Sequence, residues 1–222
     1  MSNTDLASQH NRAQDDYWQA RQDLAGAIRE LIETSVTRDI EPDAALKMTE
    51  SVRAITEELQ QSPEMRGLFA YSKTRGGLKT CNAEILCVGG NSHPIAPGLE
   101  MWHEDGKWRG RVRFDWSYEG PPGTVHGGWV AAVLDHFMGF CQNFSEFPGM
   151  TAGLEVRYRK RTPLDADLEL VSWFESEGER KTRVFGEIRH NGEITASAEA
   201  LFVQPKEGFP MLEAYKNDQF LS

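Results

Sequence analysis

Gly123-Thr124-Val125-His126-Gly127-Gly128-Trp129-Val130-Ala131-Ala132-Val133-Leu134-Asp135 is the stretch of this 222-residue chain on which both fold and chemistry turn. From Trp129 to Cys141 every residue is apolar or small except Asp135 and His136, which predicts a helix buried on most of its sides. An ionised carboxylate buried without partners is costly or shifts its titration until it is neutral. Asp135 is therefore the first catalytic candidate; the competing reading is a structural acid within a buried network or paired with an arginine. Ahead of it, Gly127 and Gly128 each lower helix propensity by about 1 kcal/mol relative to Ala, which points to something approaching the backbone closely. A helix N-terminus offers unpaired N–H groups and a positive dipole end, the arrangement that polarises a carbonyl and holds a developing oxyanion. Donors at the helix start and an acid about two turns later suit acyl transfer.

Outward from this helix the period changes to two. Trp108, Gly110, Val112 and Phe114 alternate with Arg109, Arg111 and Arg113, a half-buried strand, and Glu119-Gly120-Pro121-Pro122-Gly123 breaks it before the helix. After the helix, strands are expected over Thr151–Arg159, Asp167–Glu175 and Lys181–His190, and Asn191-Gly192 is a type I′ hairpin signal into a last strand ending near Val203. A strand, an apolar helix and a run of antiparallel strands describe an α+β sheet wrapped around one central helix.

The first third is helical in pattern. Tyr17, Ala20, Leu24, Ile28, Leu31 and Ile32 follow three- and four-residue spacing, and Ala45, Met48, Val52, Ile55 and Leu59 repeat it after Pro42. Two such helices form a hairpin that must bury its apolar stripe against something, as a packing or oligomerisation arm or as a lid. From Met65 to Pro97 there is little periodicity, and a connecting segment is expected.

A net charge of −10 argues against general nucleic-acid binding. Hydrophobic content of 39% is enough for a core at this length. Cys81, Cys87 and Cys141 contain no CxxC pair, so neither a disulfide framework nor a zinc site is expected, and no metal ligand set is proposed. With no signal-peptide-like start and no apolar run of the ~20 residues that span a bilayer, a cytoplasmic protein is expected.

His126, Gly127, Gly128 and Asp135, with the acid nine residues after the histidine, resemble the His-Gly-Gly…Asp hallmark of hotdog-fold thioesterases, specifically the PaaI-like acyl-CoA thioesterases. The Glu119–Gly123 loop and Met150-Thr151-Ala152-Gly153-Leu154 extend the resemblance, which covers about Pro94 to Pro205. It implies a hotdog domain over 93–205, preceded by the helical extension (1–64) and a connecting segment (65–92) and followed by a tail (206–222). It also implies a homodimer, or a dimer of dimers, whose sheets join and whose sites are built from both chains.

By that resemblance the helix acid Asp135 acts as general base on water, or as nucleophile, and the Gly127 amide polarises the thioester carbonyl of an acyl-CoA. The products are a free acid and coenzyme A, and no cofactor is needed. Thr151 occupies the place of a Ser or Thr that the partner chain contributes to hold the water or the acid. His126 either orients the loop or touches the thioester, and Gly128 belongs to the substrate-binding backbone. Some relatives carry an Asn six residues before the motif histidine, where this chain has Gly120. Arg157, Arg159, Lys160 and Arg161, the densest basic cluster, either meet the coenzyme A phosphates or form a solvated strand end. Trp116, Trp129, Phe137, Phe140 and Phe144 lie on or beside the helix as core or pocket lining. The rival readings are a non-catalytic acyl-thioester binding or regulatory protein, in which the hairpin recruits a partner, and a hotdog hydratase or dehydratase, which needs an Asp and His in a different motif.

Overall fold

The structure is a computed structural model that describes residues 3–176 and 178–206. Helices α1 (Asn3–Thr37) and α2 (Pro42–Leu59) lead into two short helices, α3 (Leu68–Ser72) and α4 (Gly77–Ile85). Strands β1 (Glu100–Glu104) and β2 (Lys107–Val112) precede a single 3₁₀ turn at Trp116–Tyr118 and helix α5 (Gly127–Gln142). Strands β3 (Met150–Tyr158), β4 (Leu168–Ser176), β5 (Lys181–His190) and β6 (Glu193–Val203) complete the chain.

All six strands form one antiparallel sheet in the order β1-β2-β4-β5-β6-β3, with β3 at one edge. Helix α5 lies against β3 to β6. Its Val130, Val133, Leu134, Phe137, Met138 and Cys141 are at most 1% exposed, because they recur at helical spacing on the side that meets the sheet. The sheet answers with every second residue: Val184 and Ile188 of β5, Ala196, Ala200 and Phe202 of β6, Leu168 and Leu170 of β4. Each large apolar side chain buried in this way contributes about 1.5–3 kcal/mol. Burial pushes the Cys141 thiol up to about 11, against a smaller opposing hydrogen bond from Ser172, so this cysteine is no nucleophile. The β5–β6 hairpin turns through Asn191 (φ 51°) and Gly192 (φ 79°), the two left-handed positions that a type I′ turn requires.

Two features were not read from sequence. The connecting stretch from Met65 to Pro97 holds α3 and α4; each is too short to display a period, and glycine precedes both. Strand β1, unexpected from Glu-Met-Trp-His-Glu, exists by pairing with β2, from Glu100 opposite Arg111 to Glu104 opposite Lys107. In the N-terminal hairpin, α1 docks through Trp18 and Ala25, but α2 contains no buried residue.

Candidate active site

The loop into α5 is held by its own hydrogen bonds. Gly123 N–H donates to Glu119 Oε1 (2.7 Å), Val125 N–H to the Thr162 carbonyl (2.9 Å) and His126 N–H to the Tyr118 carbonyl (2.8 Å). Gly120 lies under His126: a Cβ there would stand 2.7 Å from His126 Cα. The loop therefore has no room for the asparagine found in some relatives, and any carbonyl contact from that position is absent.

His126 is the N-cap of α5, and its Nδ1 accepts from Gly128 N–H at 3.0 Å. An accepting Nδ1 carries no proton, so the imidazole proton sits on Nε2. The Gly128 amide, expected in the substrate-binding backbone, is thus occupied by His126 within the chain. The carbonyl of the same peptide unit, Gly127 O, accepts from the Tyr158 hydroxyl at 2.9 Å. One peptide plane is pinned at both polar ends. The Gly127 N–H, by contrast, has no acceptor among the described residues and is the free donor at the positive end of the helix.

Asp135 is half-buried, on a face of α5 made of small residues: Gly128, Ala131, Ala132 and Gly139. Thr151 Oγ1 donates to Asp135 Oδ1 at 2.9 Å, which leaves Oδ2 without a partner among the described residues. The bond lies within one chain, so Thr151 is not a residue lent by a partner copy to this acid. Thr151 and Tyr158 are seven residues apart, a spacing that places them on opposite faces of a regular strand. The register shifts between Thr151 and Gly153, and the extra residue, Ala152, brings both side chains onto the α5 face.

His136 faces away from this pair, against Gly89, where a Cβ would stand 2.1 Å from His136 Nε2. Burial holds its imidazole below the usual 6.5, with Asp135 pulling weakly the other way. The basic cluster divides. Arg157 pairs with Glu155 (2.8 Å) and Lys160 with Glu193 (2.7 Å), Arg159 Nε donates to Ser197 Oγ at 3.4 Å, and exposed Arg161 makes no ion pair or hydrogen bond among the described residues. Of the aromatic residues, Phe137 is core, Trp129 packs edge-on to Tyr118, and Trp116 donates to Asp165. Phe140 and Phe144 cluster with Trp108.

The sequence profile of the thioesterase superfamily matches residues 122–197, the segment carrying α5 and most of the sheet. The acyl-coenzyme A thioesterase THEM4 of Rattus norvegicus is 38% identical over 88 residues, 39% of this chain and 38% of that protein. The Mus musculus THEM4 is 36% identical over the same length. The match spans little more than a third of these curated relatives. The crystal structure of a thioesterase superfamily protein, RHA08564, superposes with a TM-score of 0.72 at 30% identity, covering 82% of this chain and 94% of that one. The chain belongs to the thioesterase superfamily. Its fold is the hotdog type, α+β, with an antiparallel sheet wrapped around a central helix and a helical extension in front. Membership gives the Asp135–Thr151 pair and the free Gly127 amide a chemical context that their positions alone lack. Tyr158 was missed from sequence because it reads as one more aromatic residue of a strand; the odd spacing from Thr151 is the signal that a bulge and a shared face would explain. Among the described residues no helix is long and apolar enough to cross a membrane.

Proposed function

We propose that the chain hydrolyses an acyl-CoA thioester to a free acid and coenzyme A, at a site assembled from two copies. The carrying observation is the Thr151–Asp135 hydrogen bond on the half-open face of α5. It fixes one carboxylate oxygen and leaves the other to take a proton from water. The water oxygen attacks the thioester carbonyl, the oxyanion forms against a Gly127 N–H, and the C–S bond breaks as the proton passes to the departing thiolate. A thioester is an activated acyl group, so a general base contributing ~10²–10⁴ in rate, with one preorganised donor, is sufficient.

Two copies are needed on geometric grounds. Gly127 and Asp135 are eight residues apart on one helix, about 12 Å along its axis, whereas a single carbonyl and its attacking water lie within hydrogen-bond reach of each other. A second α5, running antiparallel to the first, supplies the Gly127 amide opposite Asp135. Strand β3 is the edge for this pairing: none of its nine residues is buried, and Met150 and Tyr158 are each 56% exposed. An unpaired edge of this kind, whose two charges, Glu155 and Arg157, pair with each other, is a template for another strand. Arg159 and Arg161, the cluster members not tied to a carboxylate, are assigned to the coenzyme A phosphates.

The test is thiol release from short, long and aromatic acyl-CoAs by wild type, Asp135→Asn and Thr151→Val. The expected loss is at least a hundredfold in kcat/KM for Asp135→Asn and a smaller loss for Thr151→Val. Hydrolysis that survives Asp135→Asn unchanged defeats the mechanism. Binding of acyl-CoA without turnover by wild type moves the reading to a binding protein.

A further inference from the structure

We infer that the N-terminal arm is an interaction surface for a second copy of this chain, in which the apolar stripe of α2 packs onto the exposed stripe of the partner's α1. Helix α2 is well formed locally: Pro42 sits in its first turn with Asp43 beside it at the positive dipole end. Yet an 18-residue helix that buries nothing is marginal in water, since helices in proteins are held mainly by packing of an apolar face. Met48, Val52, Ile55 and Leu59 follow one another at intervals of 4, 3 and 4 residues and are 55%, 42%, 54% and 47% exposed. That spacing is the narrow seam of a helix pair. Thr49 and Thr56 border it on one side and Ala44, Ser51 and Glu58 on the other, so the Glu58 carboxylate near the end of α2 is the one charge that flanks the seam itself.

Helix α1 carries a matching seam. Its docked side is the one with Trp18 and Ala25; on the opposite side Ala20, Leu24, Ala27 and Leu31 repeat the 4, 3, 4 intervals and all four are exposed. The two seams are complementary in size, since alanines at positions 20 and 27 leave hollows for the larger side chains of α2. In its own chain α2 makes no extensive contact with α1 among the described residues and has no buried residue. A reciprocal contact, α2 on the partner's α1 and the converse, closes about a twofold axis. With the large apolar side chains exposed on both helices, each copy has apolar surface on the order of the ~800 Å² that a stable interface buries per partner. An anionic bilayer is disfavoured as occupant, because α2 has four acidic residues, Asp43, Glu50, Glu57 and Glu58, against Lys47 and Arg53. The inference rests on these seams and not on the thioesterase reading.

The experiment is hydrogen exchange of the 42–59 amides in the purified full chain, combined with sedimentation over a concentration series. Wild type is expected to protect these amides. Ala27→Glu and Val52→Lys, made separately, should each speed their exchange at least a hundredfold and raise the concentration at which the assembly dissociates at least tenfold. In either direction of pairing, position 52 lies within about one turn of the partner's position 27, so mixing the two variants should restore protection of α2 in the Val52→Lys chain. Unprotected α2 in wild type overturns the inference. So does protection that Ala27→Glu leaves intact, because α2 then covers something else, and so does failure of the mixture to recover, because α2 then folds back on its own chain. Circular dichroism of both variants monitors the sheet, which neither exposed position touches.

Discussion

Helices α5 and α2 have nearly the same length, 16 and 18 residues, and opposite fates. Seven residues of α5 are buried and none of α2 is, although both carry apolar residues at helical spacing. The difference lies in what surrounds the stripe. Helix α5 is apolar on nearly every side, so the sheet takes one face and the remaining small-residue face accommodates an acid. Helix α2 has a single seam with charges behind it, a pattern complete only when another helix lies against it. One helix is specified by its own chain and the other by an encounter.

Removing a buried ring should separate them most sharply. Phe137→Ala in α5 is expected to cost about 3–5 kcal/mol of unfolding free energy, while Ile55→Ala in α2 changes the unfolding of the sheet by no more than about 0.5 kcal/mol. Chemical denaturation followed by tryptophan fluorescence measures both, and equal losses would mean that α2 is already packed within its own chain. The next effect concerns the loop before α5. Gly120→Ala drives a Cβ into His126 and should reduce kcat/KM about 10²-fold by displacing the Gly127 amide, with the melting temperature changed far less than the rate. A smaller effect follows from the pinned peptide unit. Tyr158→Phe keeps the ring against Gly127 and removes one hydrogen bond worth about 1 kcal/mol, so kcat should fall roughly fivefold at unchanged KM. A rise in KM alone would make Tyr158 a substrate contact instead.

The smallest effect is electrostatic. Burial depresses the His136 imidazole below 6.5, and burial with the nearby Arg29 charge does the same for His93. The unfolded chain takes up these protons first, so their contribution to stability is full above pH 6.5 and is lost as the pH falls from there toward the folded values. The melting temperature should drop between pH 7 and pH 5, and His136→Leu should flatten that drop. An unchanged slope in His136→Leu would assign the effect to His93 or to the carboxylates.

The central part of the fold was legible in sequence because its signals are local: the apolar run of α5, the alternation along β2, the Asn191-Gly192 turn. Strand β1 was not, since Glu100–Glu104 has no alternating pattern of its own and owes its existence to β2. For the site, the motif pointed to Asp135, Gly127 and Thr151 but not to their relations. That Thr151 serves the acid of its own chain depends on a β-bulge, and that the Gly128 amide is occupied depends on which nitrogen of His126 turns inward. Neither the bulge nor the ring orientation leaves a mark in residue type.

The bulge at Ala152 also limits what inheritance can change. Thr151 and Tyr158 reach two points of the same helix, one holding Asp135 and the other the Gly127 carbonyl, and only an even number of effective steps keeps them on one face. Gain or loss of a single residue within β3 would turn one of them to the far side of the sheet. The hairpin at Asn191-Gly192 can lengthen at little cost, whereas β3 tolerates substitution far better than a change in length.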